Sequence, residues 1–155
     1  MWRIFSILSG SSQNDSPPAV PKMTLSVGHY GHPLLNGTRH WSFLLHTPDG
    51  DTIAYQVAGT VDSYHLREPV KVEPGRARTF MGRVNVGTVD GHRQSTFDQI
   101  LKSVPVRRGD SQWNCQNWVV ESLKALGDHG FNVEVLSQQE LLDKLSHTAR
   151  SSSLH

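Results

Sequence analysis

The sequence predicts a single α+β domain in which an antiparallel β-sheet packs against helices. Three observations carry this. The 155 residues suffice for one domain and are too few for two comfortable ones. Short aromatic and aliphatic runs separated by turn signals fill the first half of the folded region, whereas apolar residues at helical spacing fill the second. Strands followed by helices, rather than alternating with them, are the α+β order.

Residues 1–22 are expected to be a disordered arm: MWRIFSILS is followed by GSSQNDSPPAVPK, rich in Ser, Pro and polar residues. Residues 23–147 are the expected domain and 148–155, TARSSSLH, a frayed tail. Residues 23–27, MTLSV, suit a strand. Residues 39–46, RHWSFLLH, follow an Asn36-Gly37 turn signal and read as a second strand. Pro48-Asp49-Gly50 marks a turn, and 52–58, TIAYQVA, return to complete a β-hairpin over 39–58. A further strand is expected over 78–89, where Phe80, Val84 and Val86 alternate with polar neighbours.

Three helices follow. The first, 95–104, places Phe97, Ile100, Leu101 and Val104 on one face behind Ser95 and Asp98 at capping-box spacing. The second, 114–127, opens on Asn114 as N-cap, carries Cys115, Val119, Leu123 and Leu126 in one stripe, and is closed by Gly127 and Gly130. The third, 137–147, opens on a Ser137–Glu140 capping box ahead of Leu141, Leu142 and Leu145.

Composition removes several function classes. A net charge of +1 leaves no footprint for wholesale nucleic-acid binding. A single cysteine precludes an internal disulfide and a cysteine-rich zinc site. The apolar patch in residues 1–9 is too short to span a membrane and lacks the length and cleavage site of a signal peptide, so no stable membrane anchor is expected and a cytoplasmic protein is favoured. Two sequons, at Asn14 and Asn36, would matter only in a secreted chain.

Cys115 is the residue most able to carry chemistry. The run Trp113-Asn114-Cys115-Gln116-Asn117-Trp118 puts its thiol in the first turn of a helix, where free N–H groups and the dipole stabilise a thiolate. The competing reading is a small buried hydrophobe in the stripe with Val119, Leu123 and Leu126. A nucleophile needs a base, and His40 is the best placed of nine histidines, since it opens an apolar strand where a titratable side chain needs a partner. Its competing role is that of a hydrogen-bonded structural histidine. Gln56, on the return strand of the hairpin, is the candidate to orient the imidazole; the alternative is an ordinary solvent-facing amide, and Asn117 and His46 are weaker candidates. Trp113 and Trp118 flank the cysteine and, with Trp41, Asn114 and Asn117, are the candidate substrate-binding residues; core packing explains tryptophans equally well.

At these residues the chain resembles a family. Arg39-His40-Trp41-Ser42-Phe43-Leu44 is similar to the His-Trp-Ala strand of lecithin retinol acyltransferase-like proteins, and Asn114-Cys115-Gln116-Asn117-Trp118-Val119 to their Asn-Cys-Glu-His-Phe-Val helix start. The PPPDE isopeptidases share an Asn-Cys-x-x-Phe helix start preceded by a histidine strand, and uncharacterised fungal proteins carry an Asn-Cys-x-x-Trp motif. The first two families belong to the circularly permuted branch of the NlpC-type, papain-like cysteine hydrolases, in which the histidine strand precedes the cysteine helix; the 75-residue step from His40 to Cys115 has that order and scale. The resemblance implies a permuted papain-like fold with Cys115 as nucleophile and His40 as general base. It covers two motifs within about residues 40–127. The chain departs from the pattern at Gln56, where the acyltransferase-like proteins have a second histidine, and at Gln116, where they have glutamate.

The expected function is therefore a cysteine-dependent hydrolase or acyl transferase acting on a peptide, amide, isopeptide or ester through a thioester, with no cofactor. The alternative is a catalytically inactive binding protein on the same fold. Metal binding is not expected: His29, His32, His40 and His46 lie in a loop-like or strand context without an HExxH helix or an acidic partner. Lys71, Arg76, Arg78, Arg83 and Arg93 read as a solvated strand face, the alternative being a site for an acidic ligand or phosphate, and no glycine-rich phosphate loop is present.

Overall fold

Residues 22–30, KMTLSVGHY, form β1 (Lys22–Tyr30), the strand about which the others are arranged. The computed structural model describes residues 21–31 and 37–153. Chain order continues with β2 (His40–His46), β3 (Thr52–Tyr55), β4 (Val57–Ala58), β5 (His65–Leu66), β6 (Val70–Val72) and β7 (Phe80–Asp90). Helices α1 (Gln94–Ser103) and α2 (Cys115–Asp128), strand β8 (Asn132–Val133) and helix α3 (Gln138–Ser153) complete it. Six strands make one sheet in the order β6-β3-β2-β1-β7-β8, antiparallel at every pairing, and β4 and β5 form a separate two-stranded ribbon. Strands lead and helices follow, so the domain is α+β.

Register decides which residues meet the helices. Leu25 pairs with Leu45, Val27 with Phe43, and Phe43 in turn with Tyr55. These residues, with Met23, Trp41 and Val57, form one apolar face. The helices cover it through Phe97, Ile100 and Leu101 of α1, Trp118, Val119, Leu123 and Leu126 of α2, and Leu141 and Leu145 of α3. Edge-on aromatic pairs, Phe43 with Trp118 and Tyr55 with Phe97, tie strand to helix.

Two register shifts bend β7. Leu25 pairs with Gly87 but Ser26 with Asn85, so Val86 is the extra residue of a bulge; Met81 is skipped likewise between His29 and Tyr30. The first bulge changes the side-chain phase, which is why Val86 and Val89 are both buried three residues apart where strict alternation forbids it. Gly87 lets β8 approach, because a Cβ there would run into the carbonyl oxygen of Asn132.

Local chemistry departs from expectation in four places. Helix α1 does not start on a Ser95–Asp98 box. It follows a 3-10 turn, Gly91–Arg93, and has no side-chain cap, because Asp98 accepts a 2.7 Å bond from the Tyr55 hydroxyl instead. The return strand over 52–58 is broken at Gln56. Helix α3 has the expected Ser137–Glu140 box, but it runs on to Ser153 where a frayed tail was expected, held by Thr148 against His29. Strands β5, β6 and β8 were not anticipated; at two or three residues each they are too short to show alternation. The arm over residues 1–20 and both sequon asparagines lie outside the described residues.

Two outcomes follow from this packing. Gly87→Ala forces the β8 backbone away from β7 and lowers stability by about 1–3 kcal/mol, measured as the urea midpoint. His29 is 5% exposed and its Nε2 meets Thr148 Oγ1 at 3.1 Å; burial holds its pKa below 6.5, a nearby Arg39 charge acts in the same direction, and a bond to the Met81 backbone opposes both. The unfolded chain then binds the proton first, so stability is full above pH 6.5 and falls as pH drops below it. In His29→Gln, which keeps a partner for Thr148, the urea midpoint falls less between pH 7.5 and 5.

Candidate active site

The site begins where β3 leaves β2. Their pairing runs from His46–Thr52 to Phe43–Tyr55 and stops, so residues 39–41 of the chain have no β3 partner. The first turn of α2 takes that place. The Trp41 N–H donates to Cys115 Sγ at 3.5 Å, and the Cys115 thiol lies 4.0 Å from the Arg39 carbonyl oxygen, toward which it donates. The same carbonyl accepts a 2.9 Å bond from Gln116 Nε2, while Gln116 Oε1 accepts from Gln138 Nε2 at the start of α3.

A reciprocal cap fixes the helix start. Asn114 Oδ1 accepts from the Gln116 N–H at 2.8 Å, and Asn117 Oδ1 accepts from the Asn114 N–H at 2.9 Å. The cap sets the direction in which α2 enters the sheet, and with it the position of the sulfur.

His40 lies on β2 next to Trp41, so strand alternation turns it to the opposite face, beside its β1 partner Tyr30. Its Nε2 meets Gln56 Oε1 at 2.6 Å. An amide oxygen only accepts, so Nε2 is the donor in this contact, and in a neutral ring the lone pair would lie on Nδ1. Gln56 belongs to neither β3 nor β4, and that break frees it to turn toward the imidazole. Among the described residues no hydrogen bond joins His40 to Cys115. The two share a cleft of about 460 Å³, whose wall also includes Thr38, Arg39, Gln56, Tyr64 and Arg67. The pair His40–Gln56 also lines a second cleft of about 440 Å³, walled by Tyr30, Ala54, Val72, Pro74 and Ala77.

Electrostatically the thiol is pulled two ways. Cys115 is 8% exposed, and burial pushes its pKa above the ordinary value, opposite to the lowering expected from its place on the helix. The N–H groups of Trp41, Cys115 and Gln116 oppose that push without overcoming it. At rest the sulfur is a neutral thiol.

The structure brings Cys115, His40 and Gln56 to one cleft and leaves most of the expected substrate-binding residues out of it. Trp41 and Trp118 are fully buried and Trp113 nearly so; all three belong to the core, with the Trp113 indole N–H on Glu121 Oε2. Their rings supply apolar area to the core that packs the helices on the sheet. Asn117 is committed to the cap, and Asn114 lines the cleft while its side chain caps the helix. His46, the other candidate orienting group, bonds Thr52 at the far end of β2. Arg67 and Tyr64 were not anticipated; they arrive on the β4–β5 ribbon, which carries no periodic signal.

Among the described residues no helix is long and apolar enough to cross a membrane. No curated protein and no solved structure matches the chain. Residues 34–132 do match the Family of unknown function (DUF6540), and the chain belongs to that family.

Proposed function

We propose that the protein is a cysteine-dependent hydrolase or acyl transferase acting on a peptide, amide, isopeptide or ester bond, on a circularly permuted papain-like arrangement. One observation carries the reading: His40 Nε2 lies 2.6 Å from Gln56 Oε1, and both residues line the cleft that contains Cys115. The order of the histidine strand before the cysteine helix supports the permuted arrangement. A cytoplasmic location belongs to the same proposal.

The steps balance as follows. Nδ1 of His40 accepts the thiol proton and the sulfur attacks the carbonyl carbon, giving a tetrahedral adduct. The Cys115 N–H, which already faces its own sulfur, is the donor placed to stabilise the oxyanion. The imidazolium returns its proton to the departing amine or alcohol, leaving a thioester on Cys115. Nδ1 then takes a proton from water, or from an acceptor amine or alcohol, which attacks the thioester. An acid or a transferred acyl product leaves, and the thiol regains its proton. Because the resting thiol is neutral, reaction depends on transfer to His40 rather than on a standing thiolate. Gln56 is the positioning residue.

A second reading is favoured by the same burial. A thiol that is 8% exposed and raised in pKa suits a binding protein whose cysteine only closes the end of the sheet.

The rate of iodoacetamide alkylation separates the two, since the chain has one cysteine. At pH 7.5 the native protein is expected to react at least about tenfold faster than His40→Ala, with Gln56→Ala between them. In His40→Ala the rate should climb only above the ordinary thiol range, since burial keeps the proton on sulfur to higher pH. Equal rates in the native protein and His40→Ala would sink the enzyme reading and leave the binding protein.

A further inference from the structure

We infer that the Cys115 cleft takes a substrate bearing a carboxylate beside the bond attacked, and that Arg67 reads it. This rests on the proposed function and adds the substrate's charge to it.

The charged side chains on the cleft wall are of one sign. Arg39 and Arg67 line it, and no aspartate or glutamate does among the described residues. The remaining lining is Thr38, Val57, Ala58, Gly59, Tyr64 and Asn114, together with His40, Cys115 and the positioning residue Gln56. A concave surface whose charged side chains are of one sign focuses potential and raises the local concentration of anions.

Arg67 is held there by its backbone. Its N–H donates to the Gln56 carbonyl at 3.0 Å, so the residue that orients His40 also places Arg67. The β4–β5 pairing of Val57 with Leu66 and Ala58 with His65 sets the register one step earlier. At the tip of the same ribbon, the Tyr64 carbonyl accepts a 2.8 Å bond from Arg108 Nε, which ties the ribbon to the segment leading into α2. The Arg67 side chain is exposed and, among the described residues, has no ion-pair or hydrogen-bond partner. Lys71 and Arg76, by contrast, are paired with Asp51 and Glu73. An arginine fixed at its backbone and unspent at its guanidinium is suited to bidentate contact with a carboxylate.

The test uses the single cysteine as its own reporter. Native protein is treated with two methanethiosulfonates of similar size, one ending in sulfonate and one in trimethylammonium. Each is attacked by the Cys115 sulfur, releasing methanesulfinate and leaving a mixed disulfide. Rates are divided by those of free N-acetylcysteine. The anionic reagent is expected to be favoured by about tenfold at low salt, with the preference shrinking in 1 M NaCl. Arg67→Gln should remove most of that preference and Arg67→Lys should keep part of it. Lys102→Gln, an equal charge change on α1, should leave it intact.

A second arm names the anion by protection against iodoacetamide. N-acetyl-Ala-Ala offers a terminal carboxylate, N-acetyl-Asp-amide a side-chain carboxylate, and inorganic phosphate a phosphoryl group. Protection by either peptide, lost in Arg67→Gln, supports the proposal and tells the two carboxylates apart. Protection by phosphate alone, or by none, overturns it. A cysteine that reacts with both thiosulfonates without preference overturns the anion reading and leaves the nucleophile standing. A preference that survives Arg67→Gln removes Arg67 from the role. A cysteine that reacts with neither until the chain is unfolded sinks the proposed function, and this inference with it.

Discussion

The arrangement depends on how the start of α2 plugs the end of the sheet. Once β3 departs after Tyr55, the Trp41 N–H and the Arg39 carbonyl would be left without strand partners beside a buried core. Unpaired backbone groups in such a place are costly. Cys115 and Gln116 meet both, one with its sulfur and the other with its amide. The helix cannot slide along the sheet without losing these bonds, nor roll without losing Trp118 from Phe43. Its reciprocal Asn114–Asn117 cap stiffens the same turn. Gln138 then adds α3 to the junction through the Gln116 side-chain oxygen.

That junction explains the electrostatics of the thiol. A sulfur inserted where a strand would pair is dry, and dryness favours the neutral form. The N–H groups that make the insertion possible favour the anion. Burial wins at rest. In the proposed reaction a base that can take the proton then matters more than a low resting pKa, and the break at Gln56 supplies the residue that orients His40. The same departure of β3 therefore leaves the gap that admits the sulfur, frees Gln56, and launches the β4–β5 ribbon that carries Arg67 to the cleft.

Much of this was legible in the chain before folding was considered. The apolar stripe of α2, the Asn114 cap and the Ser137–Glu140 box depend only on neighbours a few residues away, and the structure contains all three. The 39–58 hairpin follows from alternation around Pro48-Asp49-Gly50. Other features were not legible because their causes are distant in sequence. Asp98 forgoes a cap for a hydroxyl 43 residues away, and residues past 147 stay helical where Thr148 reaches His29, 119 residues back. The tryptophans around Cys115 suggested a pocket wall by adjacency. Alternation along β2 and helical spacing along α2 bury Trp41 and Trp118 instead.

By itself the sequence determined the class of fold, the element that carries each candidate residue, and the pairing of one cysteine with one strand histidine as candidates for chemistry. These rest on periodicity, capping and turn residues, which act over one or two turns of chain. Only the tertiary structure decided that β3 breaks at Gln56, that the thiol is buried and neutral, that Arg67 enters the cleft, and that His40 faces away from the helices yet shares that cleft with Cys115. Each of these depends on which backbone groups lack a partner once the sheet has formed, and that is known only when distant segments have met.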